Sequence, residues 1–163
     1  MAIDLFDVPV ASQAPVALRL NRINRAQTAI ANARLIPVIQ KNVELNQLTN
    51  VTIVPAAVSD GQTSELEIHL SPSTQTGSSS ITNAYFVAAK QRVIAKSLTA
   101  IFAECSIDTA DFVKVDVEGF EPEVLRGAQS LLEQGRMSRI FVDFHSTILK
   151  DRQIEPRDLH ILL

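Results

Sequence analysis

Val113-Lys114-Val115-Asp116-Val117-Glu118-Gly119-Phe120-Glu121 is the stretch whose reading decides the fold. Residues 111–117 are the strongest strand in the chain, a short apolar run dense in β-branched valines. A helix follows over residues 122–134, where Val124, Leu125, Ala128, Leu131 and Leu132 form one apolar stripe. Pro122 stands near the first helical position, and Gly135 is where a glycine C-cap belongs. A second strand covers residues 138–144, with His145 directly after it. In parallel α/β sheets, ligands sit outside the carboxyl ends of the strands. Asp116, Glu118 and Glu121 after one strand, and Asp143 and His145 after the next, therefore approach one edge. Carboxylates and an imidazole in such a place can bind a cation, orient hydroxyls or act as general bases. Glu121 and Glu123 also have a simpler reading, as acids that favour a helix N-terminus. Asp116, flanked by valines, is costly to bury without a partner, which marks it as functional. Gly119 allows a positive φ or a close ligand approach.

Working outward, strand-like and helix-like stretches alternate, as in βα units around a largely parallel sheet. Residues 3–10 read as a short buried strand, residues 14–26 carry loosely helical spacing, and residues 28–31 read as another strand. Asn32 is the expected N-cap of a helix marked by Leu35, Ile36, Ile39, Val43 and Leu45, with Pro37 tolerated in its first turn. Val51-Thr52-Ile53-Val54 is a strand, and residues 64–70 alternate Leu66, Ile68 and Leu70 against Glu65, Glu67 and His69. Residues 71–83 form a serine-rich loop, residues 92–96 a strand and residues 98–103 a short helix.

The 163 residues suit a single domain, with 46% hydrophobic and 20% charged residues, a balance able to bury a core. A net charge of −3 and scattered basic residues exclude the footprint of a nucleic-acid binder or a membrane-surface protein. No apolar stretch reaches the roughly 18 residues needed to span a bilayer, and the first residues lack a basic n-region. Cys105 is the only cysteine, so no internal disulfide forms, and no Cys/His spacing suggests zinc. The expectation is a cytoplasmic, small-molecule-handling domain.

Asp111-Phe112-Val113-Lys114-Val115-Asp116-Val117-Glu118-Gly119-Phe120-Glu121-Pro122-Glu123-Val124-Leu125-Arg126-Gly127-Ala128 resembles the signature of the FkbM family of S-adenosylmethionine-dependent methyltransferases. Lys41-Asn42-Val43-Glu44-Leu45-Asn46 followed by Asn50-Val51 is similar to the family's helix and turn before its third strand. Ala56-Ala57-Val58-Ser59-Asp60 is similar to the segment closing that strand, Ser97-Leu98-Thr99 to a helix start, and Phe144-His145 to a late acidic-x-His element. The match covers residues 32–145. It implies a Rossmann-like class I methyltransferase sheet, incomplete at its N-terminal unit and C-terminal strands. It also implies S-adenosylmethionine as cofactor, with Ala57, Ser59, Asp60 and Asp116 beside it. The implied acceptor is a small molecule or glycan bearing a hydroxyl, with Asp116, Glu118 and His145 as catalytic residues.

Two stretches depart from the family. Its first strand ends in a glycine-rich loop through which backbone amides approach the cofactor, whereas this chain has no glycine before Gly61. Asp7-Val8-Pro9-Val10-Ala11 stands in that place, and its proline removes a donor. The family's ribose-binding Glu-Pro-Asn is matched by Ile30-Ala31-Asn32, without the acid. Residues 1–31 thus read as an atypical or degenerate unit, of a length that suits βαβ. Three functions remain open: O-methyl transfer, a non-catalytic relative of the family, and a cation- or glycan-binding domain built on Asp116, Glu118 and Asp143. Asp60 also reads as a plain turn residue before Gly61, and His69 as an exposed strand residue.

Overall fold

The computed structural model describes residues 16–20, 25–70, 89–155, 157 and 159. The expected strand over residues 3–10, the counterpart of the glycine loop and the serine-rich loop lie outside them. Among the described residues, no helix is long and apolar enough to cross a membrane.

The architecture is mixed α/β. One sheet has five strands in the order β3-β2-β1-β7-β8, namely Val51–Val54, Arg25–Ala29, Val16–Leu20, Ala110–Val115 and Ile140–Val142. β2 is parallel to β3 and β7 to β8, as the alternating pattern predicts. β1 is antiparallel to both its neighbours. For residues 16–20 and 25–26 this corrects the helical reading of residues 14–26 and the helix of the βαβ unit expected there. Pairing along both edges, with β2 and β7, holds β1 extended whatever its local spacing favours. The strand expected at residues 28–31 is found slightly earlier, as β2.

A second sheet, not anticipated from the sequence, has the order β4-β6-β5: Ala57–Ser59, Ala89–Ser97 and Glu65–Leu70. In β5 the predicted alternation holds, with Ile68 and Leu70 buried and Glu65 and Glu67 exposed. Helix α1, Ile36–Leu45, starts later than expected, and Leu35 is its N-cap. Asn32 instead closes the preceding turn: its Oδ1 accepts from the Arg34 amide at 3.1 Å, and its carbonyl from the Leu35 amide at 3.0 Å. Helix α2, Leu98–Glu104, is capped by Ser97, whose hydroxyl accepts from the Ala100 amide.

The helix predicted over residues 122–134 is two helices, α3 (Glu121–Arg126) and α4 (Gln129–Glu133). The break has a visible cause. The Gly127 carbonyl accepts from both the amide and the hydroxyl of Thr99, so it is drawn away from the helical ladder. The Leu131 amide turns to Ala128 instead. Gly135 closes α4 with φ of +62°, and the Arg136 amide donates back to the Leu131 carbonyl, a Schellman-type ending.

The main core lies where α2, α3 and α4 cover the strands: Val58, Leu98, Ile101, Phe102, Val113, Val115, Val124 and Leu131 are all buried within it. Each such side chain contributes roughly 1.5–3 kcal/mol on burial. Gly127 packs directly against the second sheet. A Cβ built there falls 2.0 Å from the Ser59 carbonyl oxygen and 3.1 Å from the Asp60 Cα. Backbone cannot yield as a side-chain end can, so Gly127→Ala should cost at least about 2 kcal/mol. For a chain of this size that lowers the melting temperature by roughly 4–8 °C. Thermal melts followed by circular dichroism check this, and an unchanged transition would contradict the packing.

Candidate functional site

The chain direction within the five-stranded sheet creates the site. From β2 the chain passes through α1 outward to β3, and from β7 it passes through α3 and α4 outward to β8 on the other side. The carboxyl ends of β2 and β7 thus flank β1, and Val16 pairs in register with both Ala29 and Val115. Such a divergence is where an α/β sheet opens a crevice. Residues 116–121 leave β7 there, and residues 143–145 leave β8 beside them.

The loop after β7 turns sharply. Glu118 and Gly119 are both left-handed, with φ of +51° and +90°. A non-glycine residue in that region is uncommon, and its cost is met by the contacts that follow. Glu121, the first residue of α3, has no exposed surface. Its Oε1 accepts from the Gly119 amide at 2.9 Å and from Nδ1 of His145 at 2.9 Å. A carboxylate only accepts, so Nδ1 carries the hydrogen and Nε2 faces away. Nε2 looks onto Asp116 Oδ1 at 3.8 Å and Glu118 Oε2 at 3.5 Å. The outer side of the loop is held by Arg152, just after α5 (Ser146–Asp151). Its guanidinium donates to the Gly119 carbonyl and to both carboxylate oxygens of Glu123, and stacks over the Phe120 ring.

The predicted catalytic residues Asp116, Glu118 and His145 are therefore brought together. Each offers one ligand atom, all within 4.8 Å of one another, a set able to take a cation. Asp116 is less isolated than its sequence suggested, because Lys114 Nζ donates to its Oδ2 at 2.9 Å. Lys114 is the next-to-last residue of β7 and Asp116 the first residue after it. Of the residues expected beside a cofactor, Asp116 lies in this cluster, while Ala57, Ser59 and Asp60 lie in and just after β4. Ala57 and Ser59 are buried in β4, and the Ser59 hydroxyl accepts from the Gly61 amide. Asp60 Oδ1 accepts from the Gln62 amide at 3.0 Å, the turn role that its place before Gly61 suggests. His69 is half-buried beside Glu67 on β5.

Sequence reading placed Glu121 at this edge but not its role as the anchor of His145, and it missed Arg152. Both acids of α3 lie in its first turn, where the helix dipole alone explains them. Only the pairing of β7 with β8 shows that His145 arrives behind Glu121. The signal available was Phe144-His145 at the end of the next strand, which implies an imidazole on the same edge as Glu121.

Burial raises the proton affinity of Glu118, helped by Asp116, Glu121 and Asp143 and opposed by His145. Burial pulls the His145 pKa down. The hydrogen bond to Glu121 and the charges of Glu118, Glu121 and Asp116 outweigh it and lift the pKa above 6.5. A folded-state pKa raised in this way adds stability that is complete below the unfolded value and is lost as pH rises through the folded one. NMR titration with EDTA present should place His145 above 6.5, and Glu118→Gln should bring it down. The urea midpoint should fall as the pH rises through that titration, less so in Glu118→Gln. A His145 pKa at or below the ordinary value would contradict the geometry.

The model of the methyltransferase FkbM domain matches residues 10–163. No curated protein and no solved structure matches the chain. With that match over nearly the whole length, and with the carboxylates and imidazole converging after β7 and β8, the chain belongs to the FkbM methyltransferase family.

Proposed function

We propose that this chain is a methyltransferase domain that acts on a hydroxyl of a sugar or secondary metabolite, in the cytoplasm, with S-adenosylmethionine as donor and no nucleic-acid or membrane partner. One observation carries the reading. Asp116, Glu118 and His145 converge at the carboxyl ends of two adjacent parallel strands, on a fully buried anchoring carboxylate. Three proton-accepting groups at one point suit a hydroxyl that must be oriented and must lose its proton. Methyl transfer to oxygen depends largely on holding that oxygen in line with the methyl carbon.

Within this reading Asp116, held by Lys114, and His145, held by Glu121, fix the hydroxyl. Glu118 takes the proton. Its side chain is 34% exposed against 14% for Asp116 and 22% for His145, so an entering acceptor meets it first. Burial and like charge around it favour its protonated form.

S-adenosylmethionine is the donor that the family implies. The described residues do not fit it in the family's manner. Ile30, nearly fully buried, stands where the ribose-binding acid belongs. Ser59 and Asp60 turn their oxygens to their own loop. The reversed β1 occupies the sheet position next to which the glycine loop would open. The same observations favour a second reading, a relative of the family that has kept the acceptor side and performs no methyl transfer.

Calorimetric titration with S-adenosylmethionine separates the two. The methyltransferase reading expects a dissociation constant below about 100 μM, roughly 5–6 kcal/mol. No heat up to millimolar concentration would sink it in favour of the second.

A further inference from the structure

Clusters of acidic side chains are common on proteins without any ion, so the case for a ligand among Asp116, Glu118 and His145 rests on what stands behind them. The Glu121 side chain is wholly shielded from solvent. Its carboxylate lies 2.9 Å from the imidazole through Oε1, while Oε2 is buried with no hydrogen-bond partner among the described residues. A half-satisfied buried carboxylate is unfavourable unless positive charge lies close by. Among the described residues, the group of that kind bonded to it is the His145 imidazole. Asp116, Glu118 and Glu121 crowd the imidazole, and Asp143, just after β8, adds to the field on Glu118. Lys114 is bonded to Asp116. Arg152 is directed to Glu123 and the Gly119 carbonyl.

The distances point the same way. At 3.5 and 3.8 Å, Nε2 is too far from the carboxylates for hydrogen bonds. A cation with bonds of about 2.0–2.2 Å holds neighbouring ligand atoms about 3.0–3.5 Å apart, so a small closure of these side chains would coordinate one. A histidine whose other ring nitrogen donates to a buried carboxylate is the form in which metal-ligating histidines occur.

We infer that Asp116, Glu118 and His145 bind one divalent transition-metal ion, with Glu121 orienting the imidazole from behind. Two carboxylate oxygens and one imidazole nitrogen suit manganese or zinc better than magnesium or calcium, which prefer oxygen alone. Three protein ligands leave coordination positions open for an acceptor hydroxyl, which a bound ion would acidify. The released proton passes to a carboxylate oxygen that the ion does not take. The ion site itself does not depend on methyl transfer.

The test uses the full chain, cleared of metal with EDTA and titrated with Mn²⁺ alone. Calorimetry should show one ion per chain with a dissociation constant below about 100 μM. The ring signals of His145 should broaden before those of His69. Asp116→Asn and His145→Gln should each weaken binding at least tenfold. Glu121→Gln should weaken it about 10–100-fold, the range seen when an outer-shell carboxylate is lost. Should the buried Glu121 variant fail to fold, Glu118→Gln in the loop serves in its place, with the fold checked by circular dichroism. No binding at millimolar Mn²⁺ would overturn the site. So would binding that His145→Gln leaves unchanged, which would mean only loose attraction to carboxylates. Binding of S-adenosylmethionine without Mn²⁺ binding would refute the ion and leave the methyl-transfer reading intact; the reverse would separate them the other way.

Discussion

Everything at this sheet edge hangs on one buried carboxylate. Glu121 begins α3 with no contact with solvent, and one of its oxygens holds both the Gly119 amide and the His145 ring. Removing a carboxylate from water costs several kcal/mol before any partner is counted, so a chain that places one here must gain by it elsewhere. The gain is positional. The bond to Gly119 fixes the left-handed turn that aims Glu118, and the bond to Nδ1 turns Nε2 toward Asp116 and Glu118. Arg152 closes the loop from the opposite side through Glu123 and the Gly119 carbonyl. A short segment with two residues in unusual backbone conformations is thus over-determined from both faces, the condition under which strain persists at working sites.

The second dependency is the junction at Gly127. It can lie against the Ser59 carbonyl only because it has no Cβ. Its own carbonyl is taken by Thr99 at the start of α2, which breaks one predicted helix into two and ties the break to α2. Ser59 is the last residue of β4, so the close approach there braces the helix that carries Glu121 against the second sheet. Packing of Val124 and Leu131 into the main core completes that bracing.

Much of this was legible in the residues. The valines of residues 113–117 marked β7, the stripe from Val124 to Leu132 marked helix, and strict alternation marked β5. The rule that ligands sit at strand carboxyl ends was enough to group Asp116, Glu118 and His145. What could not be read has physical reasons. Leu20, Ile23 and Ala26 fit a helical spacing while Leu18 and Leu20 fit a strand, too short a window to decide, and strand direction leaves no mark on local pattern. β4 has only three residues, too few to announce a second sheet. The Gly127 break depends on Thr99, 28 residues away. The anchoring role of Glu121 was obscured by its position, since an acid in a first helical turn already has a sufficient local explanation.

The central claim is that Glu121 sets the orientation and proton position of His145, and through it the cluster that faces the acceptor. Nitrogen-15 NMR of the imidazole, recorded in metal-free protein above the pH at which His145 titrates, reads this directly. The account predicts the neutral ring with its hydrogen on Nδ1, donated to Glu121, and a bare Nε2 turned to Asp116 and Glu118. A ring protonated on Nε2, with Nδ1 bare, would contradict it.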